Sequence, residues 1–240
     1  MYVEFSTRPP PGIGSTRHSA FGISSLSNSN SLNRSTQRLI LSQWRMGEVH
    51  KRSRYNAAMR LALVLHPDSR CKAATHIEVE VARPQSARLL LQYRMTGKMS
   101  DLRLPPATAS TRSDELWRHT CFEAFVGAAP SAAYCEFNFA PSTQWAAYRF
   151  SGYRTGMSIE SGISAPHVEV RSNDDCYQLQ VSLELDRLPH LPSDAVWRLG
   201  LCAVIEETSG RKSYWALAHP PGKADFHHSD CFAHELPAAS

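Results

Sequence analysis

Glu123 and Glu136, set among Trp117, Tyr134, Asn138, Trp145 and Tyr148, form the densest group of chemistry-bearing residues in this 240-residue chain. Carboxylates and amides accept hydroxyl hydrogen bonds, and aromatic rings stack on C–H faces, so the set suits a polyhydroxylated ligand. Arg149 and Arg154 follow closely enough to neutralise the acids. Paired carboxylates also raise glycoside hydrolysis, which needs an acid and a base or nucleophile on opposite sides of one bond. Two acids on adjacent strands of one face more often stand too close and too parallel for that, which leaves hydrolysis as the weaker alternative. The plain alternative is a solvated sheet face with aromatics capping the core edge.

A second dense patch is SYWALAHPPGKADFHHSDCFAH, which holds Trp215, His219, His227, His228, Cys231 and His234. Zinc takes such ligands, and His227, His228 and Cys231 are the alternative metal set. The patch lacks the paired C-x-x-C or H-x-x-x-H spacing of a zinc motif. Adjacent histidines on an extended strand point to opposite sides, so imidazoles bonded to loop carbonyls are the ordinary reading. Ser142, Ser213 and Cys121 lie in no nucleophile context, and phosphate-binding and dinucleotide-binding glycine motifs are absent. The residues therefore read as a binding protein rather than an enzyme, with no cofactor as the leading expectation.

These side chains need rigid elements to hold them. Short β-branched or aromatic runs at 61–65, 77–81, 89–95, 120–126, 134–139, 145–150, 167–170, 177–185, 198–205 and 213–218 read as strands separated by Pro, Gly, Ser and Asn turns. No segment sustains a helical period; a turn at 186–190 is the nearest approach. The expected fold is all-β, an antiparallel sandwich or barrel of about ten strands. Strand alternation puts Phe122, Ala124, Val126, Phe137 and Phe139 in the core. Glu123, Tyr134, Glu136 and Asn138 then share the other face, with the two glutamates as close cross-strand neighbours, where like charges need solvent, a cation or an arginine. The strand-poor pieces 98–116 and 220–240 are loops over the rim, where function tends to sit.

Residues 1–58 differ in texture. They are rich in Ser, Asn, Arg and Pro, and carry eight basic residues against Glu4 and Glu48. Such a segment buries too little apolar surface to offset its ordering entropy, so a basic, disordered tail or an upstream extension before Met59 is expected, ahead of one domain over 59–240. A targeting segment is the lesser alternative. The remaining chain is close to neutral, which argues against a nucleic-acid surface, and no apolar run reaches membrane-spanning length. Six scattered cysteines without a secretory signal fit free thiols in a reducing, cytoplasmic setting.

The passages ELWRHTCFEAFVG, YCEFNFAPSTQWAAYRFSGYR and SYWALAHPPGKADFHHSDCF together resemble the bacterial DOMON-like domains, relatives of family 9 carbohydrate-binding modules. Trp117, Glu123 and the strand 134–138 match the W…(D)xxE…YxEFxxxP pattern, with Thr120 where the family often has an acid. The resemblance covers about 59–237 and implies a jelly-roll-like sandwich that binds a ligand, carbohydrate or haem, without turning it over; haem, the alternative cofactor, would take axial ligands from Met95, Met99 or Met157 with His119 or His219, and the chain has no C-x-x-C-H attachment. The expected ligand is a saccharide or sugar-derived metabolite. Its expected contacts are Trp117, Glu123, Tyr134, Glu136, Asn138, Trp145, Tyr148, Arg149, Trp215 and His219; a protein-binding patch is a further alternative.

Overall fold

A computed structural model describes residues 58–239, so the expected tail lies outside the described residues. The strands run β1 (Met59–Leu65), β2 (Ala74–Gln85), β3 (Arg88–Gly97), β4 (Cys121–Ala128), β5 (Tyr134–Phe139) and β6 (Trp145–Phe150). They continue as β7 (Ser158–Ile159), β8 (His167–Ser172), β9 (Cys176–Glu184), β10 (Trp197–Glu206), β11 (Lys212–Ala216) and β12 (His234–Leu236). The described residues form an all-β antiparallel sandwich, and every expected strand is present. Two pairings went unforeseen, because β7 and β12 are too short to show a period of two. Among the described residues the helical structure is limited to short 3-10 turns, such as Leu116–Arg118 and Ser229–Cys231.

The order is β7-β6-β5-β4-β10-β11-β1-β2-β3-β9-β8, with β12 beside β10. β1 belongs to both sheets: residues 59–63 pair with β2, and Val64 and Leu65 pair with β11. That one strand turns the corner, so the two layers close over a shared interior, and the path of described strands runs from β7 at one end to β8 at the other. Inward positions follow strict alternation. Phe122, Ala124 and Val126 of β4, Phe137 and Phe139 of β5, and Leu199, Leu201 and Ala203 of β10 meet Val79, Leu91, Tyr93 and Leu179 of the other sheet. Phe122 stacks on Tyr177 with ring centres 5.7 Å apart, and the Tyr93 hydroxyl donates to the Glu123 carbonyl at 2.7 Å.

One charged residue sits wholly inside. Arg83, where β2 bulges away from β3, has no exposed surface. Its guanidinium donates to the carbonyls of Ser86, Ser193, Ala195 and Pro237 and stacks 3.5 Å from the Trp197 ring centre. A delocalised planar cation with five donors can satisfy several carbonyls at once, which is what makes its burial tolerable.

Candidate functional site

The outer face of β4, β5, β6 and β10 carries the residues singled out in sequence. Glu123 stands directly across from Asn138, and Glu136 across from Phe125, so the two glutamates are diagonal neighbours with Asn138 between them. The Asn138 amide donates to Glu136 Oε1 at 2.7 Å. The Cys121 and Cys202 thiols lie 3.6 Å from Asn138 Oδ1 and 3.8 Å from Glu123 Oε2, and Glu123 Oε1 has no protein partner.

This face is not open to solvent. Glu123 is 3% exposed, Glu136 5% and Asn138 0%. Phe125, Tyr134, Tyr148, Phe150, Val204 and Phe226 pack around them as a second apolar cluster. Two covers seal it. Residues 114–118 bring Trp117 edge-on to Tyr148 at 5.6 Å, while the Tyr148 hydroxyl donates to Asp114 at 2.7 Å. The segment after β11 lays Phe226, His227 and Phe232 across β4 and β5. Glycine permits this approach: a Cβ at Gly200 would stand 3.1 Å from the Cys231 carbonyl oxygen.

Burial sets the protonation states. It pushes the Glu123 carboxyl well above its ordinary range, with repulsion from Glu136 adding to the shift. It pushes Glu136 up to about 7, against the pull of the Asn138 amide and the Arg154 guanidinium. Burial, helped by Arg154, depresses the His227 imidazole to about 3, so that ring is neutral. A neutral ring accounts for its contacts: Tyr134 Oη lies 2.8 Å from His227 Nδ1, and Nε2 stands 3.6 Å from Glu136 Oε2. Tyr134 Oη also accepts the Arg154 backbone N–H at 3.3 Å. The expected neutralising arginines act otherwise. Arg154 pairs with Asp225 at 2.7 Å and reaches Glu136 only through its field.

Tyr134 and His227 also line a cleft of about 370 Å³. Its floor is the end of β4 and the turn into β5; Tyr153, Arg198, His228 and Phe232 complete the rim. Tyr153 stands 56% exposed, with its hydroxyl bonded to Asp225. Arg198 lies over the Phe232 ring, 5.7 Å from its centre.

Several expected contacts lie elsewhere, for reasons of strand parity. Trp145 is three residues from Tyr148 and therefore points the other way, into the core between the sheets, where Arg112 covers it with its guanidinium 4.3 Å from the ring centre. Arg149 shares that parity and leaves the glutamate face. Trp215 also packs in the inter-sheet core, its indole donating to Ser213 at 3.1 Å. His219 bonds the Val64 carbonyl at 2.9 Å beside His66, away from the glutamates. Of the expected ligand contacts, Tyr134 alone lines the cleft. The alternative metal set does not assemble: Cys231 donates to the Ala218 and Asp225 carbonyls, His227 meets Tyr134, and His228 caps the Asp230 N–H. Tyr153 and Arg198 were missed. Arg198 had a signal, since it alternates outward from Trp197 and Leu199; Tyr153, in a turn, had none.

No protein-family model matches this sequence, and neither does any curated protein. Solved structures do match in shape. A candidate carbohydrate-binding protein from Bacteroides uniformis superimposes with a TM-score of 0.55 at 13% identity, over 73% of this chain and 84% of that one. A family 9 carbohydrate-binding module from Caldicellulosiruptor kristjanssonii, solved with cellotriose, gives a TM-score of 0.44 at 10% identity, over 73% and 80%. The first of these shows a shared fold.

Proposed function

We propose that this chain is a non-catalytic saccharide-binding module of the DOMON-like kind, and that its subsite is the cleft between Tyr134, Tyr153 and Phe232. The observation that carries the reading is an exposed tyrosine ring at the rim of a concavity that also offers Arg198 and His228. A sugar ring presents C–H faces to an aromatic and hydroxyls to planar donors, and this rim supplies both. A volume of about 370 Å³ lies in the range of small-molecule sites and suits one or two sugar rings. The fold it shares with the Bacteroides uniformis protein, itself a candidate carbohydrate-binding protein, is consistent with this reading.

The buried glutamates take a different part from the one first expected. They back the cleft wall through His227, holding the Tyr134–His227 pair in one arrangement and leaving recognition to the rim. Calorimetric titration against gluco-, xylo- and manno-oligosaccharides tests the reading. At least one series should bind, and Tyr153→Ala should weaken it about tenfold through lost stacking and a lost hydroxyl. Absence of binding across the panel, or equal affinity in Tyr153→Ala and Arg198→Ala, refutes it.

A further inference from the structure

Cys135, Glu160 and His190 lie far apart in sequence and meet beside the start of β5, on the side of the sheet away from the cleft. One donor atom from each lies within 4.8 Å of the others, the one such trio of potential metal ligands found among the described residues. Cys135 faces the inter-sheet core, fully buried, with Sγ 3.0 Å from His190 Nε2. Glu160 follows the edge strand β7. Its backbone N–H donates to the Ala147 carbonyl at 2.9 Å, its carbonyl accepts from Arg112 at 2.8 Å, and Oε1 accepts the Gly162 N–H at 2.7 Å. A Cβ at residue 162 would come within 2.9 Å of that oxygen, so the glycine makes room for the carboxylate. His190 sits in a turn anchored by buried Leu188 and Leu191.

We propose that these three side chains form a site for a borderline divalent transition metal of the zinc class. Thiolate, imidazole and carboxylate are its preferred donors, and three protein ligands leave a fourth position open. With metal–sulfur and metal–nitrogen bonds of about 2.3 and 2.0 Å, tetrahedral binding sets sulfur and nitrogen about 3.5 Å apart. His190, half-buried on its turn, moves about half an ångström to reach that separation, and the Glu160 carboxylate, now within 4.8 Å of both donors, swings in to complete the set. Without an ion, burial holds the thiol protonated and the imidazole neutral, and Sγ and Nε2 share a hydrogen bond; the proton that matters is the one on sulfur. The ion replaces that proton, which leaves to solvent. Thiolate and carboxylate then balance its two charges. Exposed Arg149, the register partner of Cys135, opposes the ion from beside the trio.

The full chain, stripped of metal, is titrated with cobalt(II) and then with zinc by competition. One equivalent of cobalt should give thiolate-to-metal charge-transfer absorbance and release a proton. Glu160→Gln and His190→Ala should each weaken binding by more than about a hundredfold, beyond a typical outer-shell loss. Arg149→Gln should tighten it. Zinc should raise the melting temperature of the parent and not that of Glu160→Gln, a near-isosteric change that keeps the fold where Cys135→Ser would disturb the core. His227→Ala and His228→Ala should leave binding intact. Absence of both charge-transfer absorbance and a zinc-dependent melting shift overturns the site and leaves a thiol–imidazole hydrogen bond. Undiminished binding in Glu160→Gln and His190→Ala, or loss in the His227 or His228 variants, also overturns it.

Discussion

Replacing Glu136 by glutamine should stabilise the sandwich at neutral pH and leave it unchanged in acid. The folded carboxyl holds its proton up to about 7, whereas its ordinary value is 4.5. Between those values the unfolded chain has given up a proton that the folded chain keeps. Stability attributable to Glu136 therefore falls as pH rises, by about 1.4 kcal/mol per unit, and then levels off. The shift integrates to about 3 kcal/mol, an order-of-magnitude figure for a group that is almost wholly buried. Glutamine keeps an oxygen for the Asn138 amide and carries no charge at any pH, so it removes the penalty alone. His227 works in the opposite sense. Its ring is neutral down to about 3 when folded, so stability is lost as pH falls below 6.5 and the unfolded imidazole takes a proton. The parent curve combines both effects with that of Glu123, whose raised carboxyl acts in the same sense as Glu136, and the difference between parent and variant reports Glu136 together with its repulsion of Glu123. Urea denaturation followed by tryptophan fluorescence between about pH 4 and 8 measures it. The two proteins should coincide near pH 4.5 and separate to about 3 kcal/mol near pH 8, or about 6–10 °C in melting temperature. A variant no more stable than the parent at pH 8 would show that ionised Glu136 is held by its surroundings, and would refute the argument from burial.

Arg83→Met should cost at least about 3 kcal/mol in the same denaturation assay, because the carbonyls of Ser86, Ser193, Ala195 and Pro237 lose their donor inside the protein. A cost below 1 kcal/mol would mean that water reaches them. Gly97→Ala should cost about 2 kcal/mol or more, since φ there is +148° and a Cβ would lie 1.9 Å from the Ala73 carbonyl oxygen; an unchanged urea midpoint would contradict the geometry.

Much of the fold could be read in advance because strands announce themselves locally. Phe122, Ala124 and Val126 alternate with Cys121, Glu123 and Phe125, and the sheet obeys that alternation from β4 to β6. The same rule, applied consistently, would have separated Trp145 and Arg149 from Tyr148, since an odd spacing cannot keep two side chains on one face. Composition invited their grouping and periodicity forbade it. Period two does not say what lies over a face. Glu123, Glu136 and Asn138 do share a face, but the segment bearing Phe226, His227 and Phe232 folds back across it and turns a polar surface into an interior.

The sequence by itself determined the antiparallel β class, the division of β4 and β5 into a core half and a polar–aromatic half, and the grouping of Glu123, Glu136 and Asn138 with Tyr134. These follow from neighbours a few residues apart. Only the tertiary structure decided that the glutamates are buried, that Tyr153 and Arg198 share a rim with Tyr134, that Arg83 ties the loop before β10 to the chain's end, and that Cys135, Glu160 and His190 meet. Each of those depends on contacts between segments tens of residues apart, and on how loops of no fixed period settle onto sheets whose glycines leave them room.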